Sequence, residues 1–298
     1  MIRVLLSRMS YYRETEENMN RDYKIECVLE SKQTEKVLLE IVRTSLFGDA
    51  LFLENQLQLT RCDEYIYHES LVHPVLTMSD DPSSVCILGG GDGCAVRELL
   101  KWSNVTSIHI YDWDKELVEL FKGKYSSWNS QSLLSPRTHI HIQDVLEISV
   151  KKQFDIVIVD LLDPNYKDTY SRELWTSLIK RLPFLLKPTG SLVLNAGGIT
   201  PWNTREVEWI IMLLVGAFRT NTTHVLEVYK TFIPSFASEW CFILIHPEER
   251  LVDTVHFQPC PSLRYFDETA WKMSKTWTKD FPQLPVQPIK LSTYLPPL

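Results

Sequence analysis

The chain has 298 residues, 44% of them hydrophobic and 23% charged, and carries a net charge of −7. That composition suits one large globular domain with a smaller companion, and no apolar run reaches the length that spans a bilayer. The acidic balance, with no long Lys/Arg cluster, argues against nucleic acid as a partner.

Cys27, Cys62, Cys86, Cys94, Cys241 and Cys260 are scattered, without a C-x-x-C pair. Neither a zinc site nor a disulfide framework is expected, and a reducing, cytosolic setting fits. The apolar stretch Ile2–Leu6 is short and Arg8 follows it, which does not make a signal peptide. The glycosylation patterns at Asn104 and Asn221 lack a secretory context.

Residues 1–30 are polar and give no assignable element. Val37–Val42, Ala50–Leu53 and Gln56–Leu59 are short apolar runs separated by turn residues, and they predict a small antiparallel sheet. Asp63 opens a helix through Tyr67 and Leu71, which Pro74 should end. From Ser84 onward strands and helices alternate. Strands are predicted at Ser84–Leu88, Ser107–Tyr111, His139–Ile142, Phe154–Val159 and Ser191–Leu194. Helices are predicted at Asp92–Trp102, Asp114–Lys122, Tyr170–Leu186 and Thr204–Phe218. His224–Tyr229 and Trp240–Ile245 read as a closing antiparallel pair, and the proline-rich tail from about 281 to 298 as irregular. The pattern implies an α/β fold: a Rossmann-like, mostly parallel sheet of the class I methyltransferase type over 76–298, preceded by a small antiparallel β-domain over 1–75.

Three stretches carry the chemistry. Gly89-Gly90-Gly91-Asp92-Gly93 joins the first strand of the alternating region to its helix, where glycines let backbone turn tightly and approach a ligand. A glycine turn alone is a weak signal. Asp112, ending the next strand, is spaced to hydrogen-bond ribose hydroxyls, and the two together favour a nucleotide. The loop departs from G-x-G-x-x-G, and Asp92 would repel a pyrophosphate there. A cationic adenosyl ligand, S-adenosylmethionine or its decarboxylated form, removes that conflict. Asp144, just past the third strand, can accept from an adenine amino group, and equally well can cap a short helix. The third stretch is Phe154-Asp-Ile-Val-Ile-Val-Asp160-Leu-Leu-Asp163-Pro164. Ligands bind at the carboxyl ends of strands in open α/β sheets. A carboxylate at that edge can hold an ammonium group and take its proton, which a nucleophilic amine must lose before it attacks. Turn chemistry accounts for Asp163, but not for Asp160 at the end of an apolar run.

Together these motifs resemble those of the aminopropyltransferases, the spermidine, spermine and thermospermine synthases, over roughly Lys36 to His246. The family's G-G-G-[DE]-G loop is similar to Gly89–Gly93, and its D-x-x-D-P to Asp160–Pro164. Its R-D-E-[FY]-x-Y-[QH]-E segment is similar to Arg61–Glu69 with one residue inserted. Tyr65–Glu69 with His73-Pro74, and Ile233–Trp240, resemble thermospermine synthases most; spermidine synthases carry a tyrosine where Phe236 stands. After Asp163-Pro164 the family's gatekeeping loop continues into G-P, whereas this chain has Asn165-Tyr-Lys-Asp-Thr.

The resemblance implies an enzyme that transfers the aminopropyl group of decarboxylated S-adenosylmethionine to a polyamine and releases methylthioadenosine. It implies no prosthetic group, no metal, and a homodimer. Asp160 and Tyr67 would be catalytic. Gly89, Gly91, Asp92, Asp112, Asp144 and Gln58 would hold the donor, and Asp163, His68, Phe236 and Trp240 the acceptor. Two other readings stand beside it: an S-adenosylmethionine-dependent amine N-methyltransferase, since Asp163-Pro-Asn-Tyr166 approaches D-P-P-Y, and a non-catalytic regulatory paralogue.

Overall fold

The computed structural model describes residues 10–15, 20–149, 153–221, 223–250, 262–281, 284–285 and 287–294. Chain contacts divide it into two units. The smaller comprises residues 1–65 and 234–236, the larger 66–233 and 237–298. The division therefore falls in the first turn of a helix, ahead of the boundary expected at 75.

The smaller unit holds β1 (Ser10–Thr15), β2 (Asn20–Gln33), β3 (Leu38–Thr44), β4 (Gly48–Leu53) and β5 (Gln56–Thr60), paired antiparallel in chain order. Ile41, Val42, Ala50 and Phe52 are completely buried and supply its core. β1 and β2 arise from the segment that gave no sequence signal. Along β2 burial alternates over residues 20–26, with Tyr23 buried and Arg21 and Ile25 half-buried on the same face, but the polar Arg21 on that face breaks the apolar alternation that reads as a strand.

The larger unit opens with the rest of α1 (Glu64–Thr77), which continues past Pro74 instead of ending there. A proline leaves the carbonyl four residues earlier without its helical donor. The Tyr229 hydroxyl donates to that carbonyl, Ser70 O, at 2.8 Å, and so replaces the missing bond. The alternating region follows as β6 (Ser84–Gly89), α2 (Cys94–Leu99), β7 (Ser107–Asp112), α3 (Lys115–Lys122), β8 (Thr138–Ile142), β9 (Phe154–Asp160), α4 (Thr169–Leu185), β10 (Leu186–Ile199) and α5 (Arg205–Ala217). β11 (His224–Ile233) and β12 (Ser238–Pro247) form the expected antiparallel pair. α6 (Glu268–Ser274) and β13 (Ile289–Lys290) lie in the C-terminal stretch that had no predicted elements.

The strand order is β13-β11-β12-β10-β9-β6-β7-β8, with β10, β9, β6, β7 and β8 parallel. This is the doubly wound, mostly parallel sheet the alternation implied. Its central strands are buried on both faces, which explains their near-continuous apolar sequence. On one face Cys86, Leu88, Val157, Val159, Leu192 and Leu194 pack with α4 and α5 through Trp175, Leu178, Val207 and Ile210. α2 starts later than predicted because Asp92 and Gly93 belong to the preceding loop, where Asp92 Oδ1 accepts from Cys94 N at 2.8 Å. It also ends earlier, where Lys101 N and Trp102 N donate to Glu98 O and Leu99 O in tighter turns.

Candidate active site

β9 delivers Asp160. Ile156, Val157, Ile158 and Val159 have no exposed surface, and Asp160 is the first polar residue where the strand emerges. Its neighbour in the parallel register is Gly89 on β6. A Cβ at Gly89 would lie 2.0 Å from Asp160 O, and Gly89 has φ +86°, so only glycine lets the two strand ends meet. Asp112 ends β7 in the same row. Its carboxylate accepts from Gly91 N at 3.0 Å and from Asp114 N at 2.9 Å. A Cβ at Gly91 would stand 2.6 Å from Asp112 Oδ2, which ties the second glycine to the acid. Burial pushes the Asp112 carboxyl up to about 6, against the pull of those two backbone N–H bonds.

α1 brings Tyr67 and His68 to this edge. The Tyr67 hydroxyl donates to Asp160 Oδ1 at 2.7 Å, and its ring packs at 5.4 Å from that of Phe242 on β12. His68 is 2% exposed, with Nε2 3.8 Å from Asp92 Oδ1. One donor atom each from His68, Asp92 and Asp160 falls within 4.8 Å of the others. Burial pushes Asp160 up to about 6; nearby Asp92 adds to the rise, while His68 and the Tyr67 hydroxyl oppose it. Tyr67 is raised well above its ordinary value by burial and then by the charge of Asp160, so it stays protonated and acts as a donor. Two carboxylates, an imidazole and a phenol packed this closely suit a cation with several N–H donors. A carboxylate poised near 6 can also accept a proton near neutrality.

Beyond the end of β9, Asp163 Oδ1 accepts from Asn195 Nδ2 at 2.9 Å, and Asn195 Oδ1 accepts from Trp240 Nε1 at 2.8 Å. Asn195 thus joins two of the sequence candidates. Asp144 caps the turn Val145–Glu147, accepting from Leu146 N at 2.8 Å, so the capping alternative is real. Its charge is one of the influences that raise the Tyr170 hydroxyl on α4, after burial, which places the two near each other.

The larger unit therefore brings together Tyr67, His68, Asp92, Asp160, Gly89, Gly91 and Asp112, with Asp163 and Trp240 joined separately and Asp144 at the end of β8. Gln58 and Phe236 belong to the smaller unit. Gln58 sits on β5, with Nε2 donating to Gln56 O at 3.1 Å, and Phe236 is buried in the turn Pro234–Phe236. Asn195 was missed. Asn195 had a readable signal, since it follows the apolar Leu192-Val-Leu194 as Asp160 follows its own run.

Comparisons with known proteins bear on what this site serves. The profile of the spermine/spermidine synthase domain matches residues 64–256. The chain belongs to that family. It is 31% identical to the polyamine aminopropyltransferase of Sulfolobus acidocaldarius over 80% of this chain and 79% of that one. It is 30% identical to the enzyme of the same name from Saccharolobus solfataricus, over 92% of each chain. A crystal structure of spermidine synthase with the transition-state analogue AdoDATO superposes with a TM-score of 0.81 at 22% identity, covering 95% of this chain and 99% of that one. Spermidine synthase from Thermotoga maritima gives 0.78 at 22% identity, over 95% of this chain and 98% of that one. These structural likenesses bear out the fold, with its antiparallel N-terminal sheet and mostly parallel second sheet.

Proposed function

We propose that this chain is a polyamine aminopropyltransferase that moves the aminopropyl group of decarboxylated S-adenosylmethionine onto an amine of a polyamine, with spermidine or putrescine as acceptor in the manner of thermospermine synthases. The observation that carries the reading is the Tyr67–Asp160 bond, 2.7 Å long, at the carboxyl end of β9, in a carboxylate pushed up to about 6. Asp160 takes the ammonium proton of the acceptor, and Tyr67, fixed in its protonated form, orients the carboxylate. The freed lone pair attacks the carbon beside the sulfonium in line, and methylthioadenosine leaves with the C–S electron pair. Asp92 and His68 face the donor's propylammonium and the acceptor. Asp112 receives the ribose hydroxyls and Asp144 the adenine amino group, with Gly89 and Gly91 giving the close backbone approach. Asp163 and Trp240, held through Asn195, line the acceptor path. The resemblance of Ile233–Trp240 supports the thermospermine assignment.

We read the enzyme as a cytosolic homodimer, in which a partner would cover an edge or face of the small five-stranded sheet, where Tyr11 and Val28 are exposed. Asp160→Asn tests the mechanism. Turnover should fall at least about a hundredfold, the usual scale for loss of a general base. Donor affinity, to which Asp112, Asp144 and Asp92 all contribute, should change much less. A nearly fully active Asp160→Asn enzyme would remove Asp160 from the chemistry.

A further inference from the structure

A carboxylate on a loop is useful only while its aim is fixed. The Asp92 carbonyl oxygen accepts from Asn129 Nδ2 at 2.7 Å, and the next carbonyl, Gly93 O, accepts from Ser132 Oγ at 2.7 Å. Both donors come from the segment between α3 and β8, which no motif covers. Asn129 is completely buried, and its Nδ2 also donates to Phe121 O in the last turn of α3 at 3.1 Å. Its Oδ1 is enclosed without a hydrogen-bond partner among the described residues. Reversing the amide would set Oδ1 against two carbonyl oxygens, so the orientation follows from chemistry. An enclosed amide oxygen with no partner costs stability, and an arrangement of that kind beside an active site points to function.

We propose that Asn129 is a positioning residue for the donor's ammonium: by clamping the Asp92 carbonyl to α3 it directs the Asp92 carboxylate toward His68 and Asp160. This rests on the assignment of Asp92 to the propylammonium of decarboxylated S-adenosylmethionine. The clamp acts on the backbone one bond from the Asp92 Cα, and the side chain is held in turn by Cys94 N at 2.8 Å. A charge-assisted hydrogen bond depends steeply on aim, so a carboxylate turned away from the donor's ammonium holds that ammonium more weakly. The ribose acid is held differently, by Gly91 N and Asp114 N, and should not register loss of the clamp.

That difference supplies the test. Methylthioadenosine shares the adenine and ribose of the donor but lacks the aminopropyl ammonium. Asn129→Asp keeps the side-chain shape and replaces the N–H donors with an oxygen facing two carbonyls. By calorimetry on the full-length protein it should weaken decarboxylated S-adenosylmethionine at least about tenfold and leave methylthioadenosine within about twofold. In steady state the donor KM should rise while kcat at saturating donor stays within about threefold. Asn129→Ser, which retains a shorter donor, and Ser132→Ala, which frees the Gly93 carbonyl, should show the same split to a smaller degree; they carry the test if Asn129→Asp does not fold. Equal loss of both ligands would mean general support of the loop, and no loss of either would mean no role; each overturns the proposal. If the unsubstituted protein binds decarboxylated and ordinary S-adenosylmethionine alike, the assignment of Asp92 fails first and takes the clamp with it.

Discussion

At the scale of single residues, the two raised carboxyls set opposite pH trends for stability and activity. Asp160 and Asp112 are pushed from an ordinary 3.8 up to about 6, so between those values the folded protein holds more protons than the unfolded chain. Stability therefore falls as pH rises through that window: the contribution is complete below the lower value and lost above the upper one. With Asp160 as the proposed base, activity should run the other way, since only its ionised form can take a proton, and kcat/KM should fall on the acid side of about 6. Asp160→Asn should accordingly melt at or above the parent temperature at pH 8, with the difference shrinking toward pH 5. A lower melting point at pH 8 would show that the carboxylate is a net support of the fold. Tyr67→Phe removes a hydrogen bond that favours the ionised form, so the acid limb of its pH–rate profile should move to higher pH. An unmoved limb would separate Tyr67 from the titrating group.

Elements were legible wherever one physical signal dominated. β6 and β9 are buried on both faces, and their apolar runs ended where the glycine loop and Asp160 began, so strand ends and candidate site residues were found together. β1 and β2 were silent because polar Glu14 and Arg21 stand among their more buried positions, and α6 because a seven-residue helix offers too few turns for a period. Pro74 misled because a local rule met a tertiary compensation: Tyr229, far away in sequence, supplies the donor that the proline lacks. Tyr229→Phe should cost about 1–3 kcal/mol, the range for an unsatisfied buried carbonyl, and lower the melting temperature by several degrees. Pro74→Ala restores a backbone N–H to Ser70 O, so the double variant should recover much of the loss. Additive losses in that double-mutant cycle would show that the Tyr229 hydroxyl does not compensate for the proline.

For the whole molecule, the sequence showed the layered α/β architecture and most of the site acids, because strand ends, glycine turns and spaced carboxylates are local features. It hid the connections between distant segments, namely Asn195 joining Asp163 to Trp240 and Asn129 reaching the glycine loop. Assembly and substrate choice are properties of this scale too. Light scattering at micromolar concentration should give about twice the 34.8 kDa chain mass, and a monomeric value would exclude the homodimer. The decarboxylated donor should bind better than S-adenosylmethionine, whose added carboxylate meets Asp92 and Asp160. The most direct measurement is product identity. Purified protein is incubated with decarboxylated S-adenosylmethionine and putrescine, spermidine or agmatine in turn, and in parallel with S-adenosylmethionine, and the products are separated by mass. Aminopropylated polyamine with an equal amount of methylthioadenosine, and no product from S-adenosylmethionine, is the predicted result. Methylated amine with S-adenosylhomocysteine, or no product from any pair, would contradict it.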